Sequence, residues 1–180
     1  AGQTVKLLRE KVVTNAMLNL GGNIAVMGES ESNKGKGFWT VGIKNPFKTD
    51  ELVGTANVTD CFISVSGAYE RFYEIDGKKY HHILDGKTGY PAESGLASVA
   101  VICSEKSSYE NPAAVADALS TALFVMGLDK VKDFYDIGEF DFEVVVVTND
   151  GNVYFSDGLD FNCFSESAGI NSCEKLSALQ

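Results

Sequence analysis

Two histidines stand side by side in the segment YHHILDGKTGYP, Tyr80 to Pro91, and they are the only two in the 180-residue chain. Imidazole is the side chain whose ordinary pKa lets it give or take a proton near neutral pH, so a histidine just before a polar turn is a candidate for acid–base work. Read as an extended strand, the segment places Tyr80, His82 and Leu84 on one face and His81, Ile83 and Asp85 on the other. Asp85-Gly86 and Thr88-Gly89 then turn the chain and expose backbone to whatever lies alongside. A polar strand end is the plainer alternative.

A second constellation lies in NPAAVADALSTALFVMG, Asn111 to Gly127. Asn111 is a helix cap, Pro112 suits the first helical position and Gly127 closes the helix. Asp117 sits mid-helix, and its neighbours at helical spacing, Ala113, Ala114, Ser120 and Thr121, are all small, so another group can approach its carboxylate. Thr121 adds a hydroxyl one turn on. Oxygen donors at i and i+4 suit magnesium, which keeps waters and substrate phosphates as its other ligands, whereas calcium would need more carboxylates. The alternative makes Asp117 a solvated residue and has Thr121 bond back to a carbonyl one turn earlier. The apolar run Ala118 to Met126, broken only by Ser120 and Thr121, predicts a helix buried on most sides, where a carboxylate needs a cation or donors.

These residues need a scaffold, and the chain is long enough to bury one core as a single domain over residues 1–180. Its 44% hydrophobic content fits a globular protein. The net charge of -10 repels phosphate backbones and argues against nucleic acid as a partner; a phosphorylated ligand would need a metal or local amides to offset its charge. Cys61, Cys103, Cys163 and Cys173 show no metal-ligand spacing, so a zinc site is not expected, and whether they pair is open.

The pattern predicts an opening helix with Val5, Leu8 and Val12 on one stripe. Strands follow over Ala16–Gly21, Ile24–Met27, Trp39–Ile43, Val53–Val58, Cys61–Ser66, Lys79–Leu84 and Leu96–Cys103. After the Asn111 helix come a shorter helix, Leu128–Tyr135, and strands at Phe142–Thr148 and Asn152–Ser156 joined by Asn149-Asp150-Gly151. Hairpins with few interleaved helices indicate an α+β fold, a largely antiparallel sheet packed with helices. The loop Glu29–Gly37 is expected to be mobile and residues 165–180 to form a loosely ordered tail. The helical pattern begins at Ala1 without an initiating Met, leader or cap, so the chain reads as part of a longer polypeptide whose signal peptide or lipid anchor is out of view.

Five segments, LNLGGNIAVMG (Leu18–Gly28), WTVGIKNP (Trp39–Pro46), SGAYERF (Ser66–Phe72), HHILDGKTGYP (His81–Pro91) and ADALSTALFVMG (Ala116–Gly127), together resemble the ApbE family of FAD:protein FMN transferases. They occur in family order over about Ala1 to Ser156. The resemblance implies an ApbE-like, T-fold-like two-layer architecture and a magnesium-dependent enzyme that cleaves FAD and attaches FMN through its phosphate to a threonine of an acceptor protein, releasing AMP. It also admits relatives that only bind flavin or hydrolyse FAD to FMN and AMP, and a half-domain that is inactive alone. By resemblance, Asp117 and Thr121 bind Mg2+, His82 orients the nucleotide or accepts the threonine proton, and Ile83 and Thr88 contact FAD. The family implies export as a membrane-anchored lipoprotein. Its earlier glycine-rich segment, which supplies a backbone ligand to the metal, is absent, so roughly the N-terminal half of a typical member is missing. Gly86 stands where the family usually has proline, which predicts a looser turn. Asp85-Gly86-Lys87-Thr88 is superficially similar to the Asp-Gly-x-Thr acceptor motif, but Tyr90-Pro91 follow where acceptors continue with small residues, so Thr88 is not expected to be flavinylated.

Overall fold

A computed structural model describes residues 1–179. Helix α1 (Gly2–Glu10) leads into the hairpin β1 (Ala16–Leu20) and β2 (Asn23–Met27). Gly21 and Gly22 make its two-residue turn at φ of 70° and 101°, a pair of values that glycine accepts without strain. Strands β3 (Trp39–Lys44), β4 (Leu52–Val58) and β5 (Cys61–Gly67) follow, then β6 (Phe72–Ile75), β7 (Lys78–His81) and β8 (Leu96–Ser104). Helices α2 (Pro112–Met126) and α3 (Leu128–Ile137) come next. The chain finishes with β9 (Glu143–Thr148), β10 (Asn152–Phe155), β11 (Phe161–Cys163) and β12 (Ser172–Lys175).

Seven strands form the main sheet in the order β1-β2-β5-β8-β9-β10-β12, antiparallel except where β12 lies parallel to β10. Alternate residues serve two cores. Ala25, Met27, Phe62, Val99, Val101, Val144 and Val146 pack under the helices with Leu123 and Phe124. Val26, Ile63, Ala100, Ile102, Val145 and Val147 pack against the small sheet β11-β4-β3. The α+β expectation therefore holds, and the small sheet adds a third layer to the two expected. Because both faces are covered, β8 is buried along almost its whole length and reads as an apolar run broken only by Ser98 before its terminal Ser104, although its neighbours are antiparallel.

Three local expectations change. The strand expected over Lys79–Leu84 ends at His81 and pairs with β6, which the sequence reading passed over; the turn between them is Asp76-Gly77, both at positive φ and a hairpin signal available in the sequence. The loop Glu29–Gly37 is tied down: Ser30 caps a 3-10 turn by accepting from the Asn33 N–H, and the Gly37 N–H donates to Glu29. Residues 165–180 were expected to be loose, yet within the described part β12 joins the main sheet, Ile170 and Leu176 are buried, and Cys173 forms a disulfide with Cys163 on β11. Apolar burial and a covalent clip hold this segment. Cys61 and Cys103 remain free and buried, and burial pushes both thiols up to about 12.

Candidate functional site

Register builds the site. Because Ile24 lies opposite Ile63 in the β2–β5 pairing, Asn23, the first residue after the Gly21-Gly22 turn, falls beside Ser64. Ser64 and Ser66 share the face of β5 that carries Phe62, the face covered by α2. The helix presents Asp117, Ser120 and Thr121 to them. Polar side chains there need partners, since Ser64 and Ser120 are 3% and 0% exposed.

The partners are one another. Ser64 Oγ lies 2.6 Å from Asn23 Oδ1 and 3.1 Å from Asp117 Oδ1. Ser66 Oγ lies 3.0 Å from both Ser120 Oγ and Thr121 Oγ1, and Ser120 Oγ donates to the Asp117 carbonyl at 3.0 Å. Thr121 does not bond back to the carbonyl one turn earlier. That carbonyl belongs to Asp117 and is taken by Ser120, while Thr121 reaches across to β5.

Asp117 itself is exposed, not buried as the apolar run predicted. Helix α2 buries only the stripe Ala116, Ser120, Leu123 and Phe124, at i, i+4, i+7 and i+8. The Asp117 carboxylate has no basic partner among the described residues. Its one hydrogen bond comes from a hydroxyl whose single proton also faces Asn23 at the shorter distance. It borders a cavity of about 230 Å3 lined by Gln3, Asn23, Asn111, Ala113 and Ala114, so the small residues do leave room beside it. No group of three or more His, Cys, Asp or Glu side chains placed to hold a metal ion exists among the described residues. What the site offers is one under-served carboxylate amid neutral oxygens, a hard donor set that fits a cation retaining much of its water, as magnesium does.

The histidine segment meets the same helix, through His81. The His81 ring packs edge-on against Phe124, with centroids 5.7 Å apart, and its Nδ1 is buried without a hydrogen-bond partner among the described residues. Burial lowers its pKa, the backbone of Ala92 partly opposes this, and the neighbouring His82 adds to the lowering. His82, the first residue past β7, is exposed, with Nδ1 3.3 Å from the Arg71 carbonyl. Both histidines border a groove of about 630 Å3, with Arg71, Leu84, Tyr90 and the stacked pair Tyr73 and Tyr80, whose centroids are 5.4 Å apart. Ile83 is buried in the core and its carbonyl accepts the Ala92 N–H, so its side chain faces no groove. Thr88 is exposed in a turn beside a smaller cavity of about 330 Å3 bordered also by Tyr80 and Asp85. Gly86 does not leave this turn loose: Asp85 accepts from the Lys87 N–H with its carboxylate and from the Thr88 and Gly89 N–H groups with its carbonyl. Asp117 and Thr121 are thus joined through serines, while no hydrogen bond among the described residues connects His82 or Thr88 to them.

The sequence reading missed Asn23, Ser64, Ser66 and Ser120. The available signal was Ser-Val-Ser on β5, hydroxyls at alternate positions on a face that otherwise packs a core.

The ApbE family model matches residues 1–145. This chain belongs to the ApbE family. It is 38% identical over 124 residues to a FAD:protein FMN transferase of Klebsiella pneumoniae, an alignment covering 68% of this chain and 34% of that protein. Similarity to the FAD:protein FMN transferase of Treponema pallidum is 38% over 136 residues, covering 72% of this chain and 36% of that one. The crystal structure of the ApbE protein from Thermotoga maritima superposes with a TM-score of 0.69 at 31% identity, over 87% of this chain and 48% of that one. The chain therefore spans about a third of these curated ApbE relatives and just under half of the solved ApbE chain.

Proposed function

We propose that this chain is part of a magnesium-dependent FAD:protein FMN transferase, which moves FMN from FAD to a threonine of an acceptor protein and releases AMP. The observation that carries the reading is the Asp117 carboxylate, exposed on α2 without a basic partner and accompanied by Thr121 one turn on. Asp117 and Thr121 would hold Mg2+, which when bound supplies the positive charge that an FAD pyrophosphate requires at the surface of an acidic protein. His82 is the base in this reading. A carbonyl can only accept, so the contact with Arg71 assigns the proton of neutral His82 to Nδ1 and leaves the lone pair on Nε2 for the threonine proton. The stacked Tyr73 and Tyr80 and the exposed Tyr90 give the same groove aromatic faces for a planar ring, with Thr88 beside the smaller cavity that Tyr80 and Tyr90 also line and Ile83 contributing only backbone.

The share of each relative that the chain spans supports a further part of the reading, that an N-terminal portion of the same protein completes the cavity. An oxidising, extracytoplasmic location is likewise supported by the Cys163–Cys173 disulfide, with membrane attachment through an anchor outside this chain. Incubating the intact protein with FAD, Mg2+ and an acceptor domain is expected to make the acceptor heavier by one FMN. Release of FMN and AMP without any acceptor gain would replace transfer by hydrolysis, and no FAD consumption would overturn both.

A further inference from the structure

We infer that Ser66 is a positioning residue for the divalent cation, fixing the Thr121 hydroxyl so that both its lone pairs are free; this rests on the cation reading of Asp117 and Thr121. The argument is proton bookkeeping along the hydroxyls between β5 and α2. Ser120 Oγ has two acceptors, the Asp117 carbonyl at 3.0 Å and Ser64 Oγ at 3.4 Å, whose own proton is turned to Asn23; the shorter contact takes the Ser120 proton, and either one directs it away from Ser66. Ser120 Oγ can then only accept from Ser66, 3.0 Å away, which commits the Ser66 proton in turn. Ser66 Oγ, having spent its proton, accepts from Thr121 Oγ1 at 3.0 Å. The order is Thr121 to Ser66 to Ser120 to the Asp117 carbonyl, and it leaves Thr121 Oγ1 as a donor toward the sheet and an acceptor toward solvent.

The polarity of this chain matches what a cation demands. A metal-bound hydroxyl becomes a stronger hydrogen-bond donor and needs an acceptor for its proton on the side away from the metal. Ser66 is that acceptor, fixed on a central strand of the main sheet. Without it, Thr121 would have to turn its proton to solvent or compete with Ser120 for the Asp117 carbonyl, the i−4 back-bond that threonine favours in helices. Ser64 does the corresponding service for the carboxylate: its single proton is held by Asn23 at 2.6 Å, which leaves Asp117 Oδ1 in need of a positive partner.

The test measures binding of Mg2+ alone by calorimetry and of Mn2+ alone by electron paramagnetic resonance, in the intact protein and without FAD. Ser66→Ala is expected to weaken binding on the order of five- to tenfold, the worth of one hydrogen bond to a polarised group, and Ser66→Thr, which keeps the hydroxyl, to restore it. A merely structural serine would instead lower the melting temperature and leave cation affinity of the folded protein unchanged, and that result overturns the inference. The pathway is checked in a Thr121→Val background, where Ser66→Ala should have no further effect; additive losses there would show that Ser66 does not act through Thr121 and would also overturn it. Failure of the unmodified protein to bind either ion would overturn the cation reading itself, separately from the role of Ser66.

Discussion

His81 stands edge-on to Phe124, with ring centroids 5.7 Å apart, while its sequence neighbour His82 sets its Nδ1 3.3 Å from the Arg71 carbonyl, so two adjacent imidazoles that border one groove have different partners. His81 is a packing residue. Its burial lowers its pKa below the ordinary value near 6.5, so between that lowered value and 6.5 the unfolded chain binds the proton more readily than the folded one. Stability should be full above pH 6.5 and fall as pH drops through that window. Melting temperatures from pH 7.5 to 5 in the native protein and in His81→Phe check this: the acid-side fall should be shallower in the variant, and identical profiles would remove His81 from the account.

His82 should answer differently. His82→Gln keeps a polar side chain but no titratable base, so turnover is expected to drop on the order of a hundredfold or more at neutral pH, with the melting temperature little changed. The pH–rate profile is the decisive measurement, since a limb present in the native enzyme should be missing from the variant.

Asp117→Ala should abolish magnesium-dependent FAD turnover. Because the carboxylate is exposed and Ser64 retains Asn23 as its partner, stability should stay within about 0.5 kcal/mol of the native protein. Denaturant titration beside a magnesium-dependence assay separates the two effects, and turnover that still rises with Mg2+ would contradict the assignment.

The turn after the histidines offers a gain. Thr88 N–H donates to the Asp85 carbonyl, which makes Gly86 the second residue of a β-turn, the position proline favours, and a Cβ there meets nothing within 4 Å. Gly86→Pro should therefore stabilise by about 0.4–1 kcal/mol, chiefly by restricting the unfolded chain. A loss of stability on thermal unfolding would mean that the backbone at Gly86 is not that of such a turn.

Breaking the Cys163–Cys173 bridge releases a closed loop of sequence separation 10 and should cost about 2–3 kcal/mol. Unfolding the Cys163→Ser, Cys173→Ser double variant beside the native protein measures this. FAD turnover at a temperature where both are folded should be the same.

The sequence was most informative where geometry is local. Asn111-Pro112 and Gly127 marked the ends of α2, and Asn149-Asp150-Gly151 marked the β9–β10 turn. It was least informative where two distant segments share one decision. The spacing of Asp117 and Thr121 is visible in a helix, but what they bond to depends on the register of β2 against β5, which brings Asn23 beside Ser64. The burial of Asp117 was misjudged for a related reason: an apolar run says how much of a helix is hydrophobic, and only the sheet beneath it decides which stripe is covered. The polar end of the chain read as loose because nothing local reveals a parallel strand pairing or a cysteine pairing across two sheets.

The position of that clip separates two properties of the molecule. β12 closes one edge of the seven-stranded sheet, Asn23 lies near the other, and four strands intervene in the order between their strands, with the hydroxyl chain beginning on β5. A bond at one edge and a carboxylate near the other are that far apart in the sheet, so loss of the Cys163–Cys173 bridge should loosen β11 and β12 while leaving the Asn23–Ser64–Asp117 contacts in place.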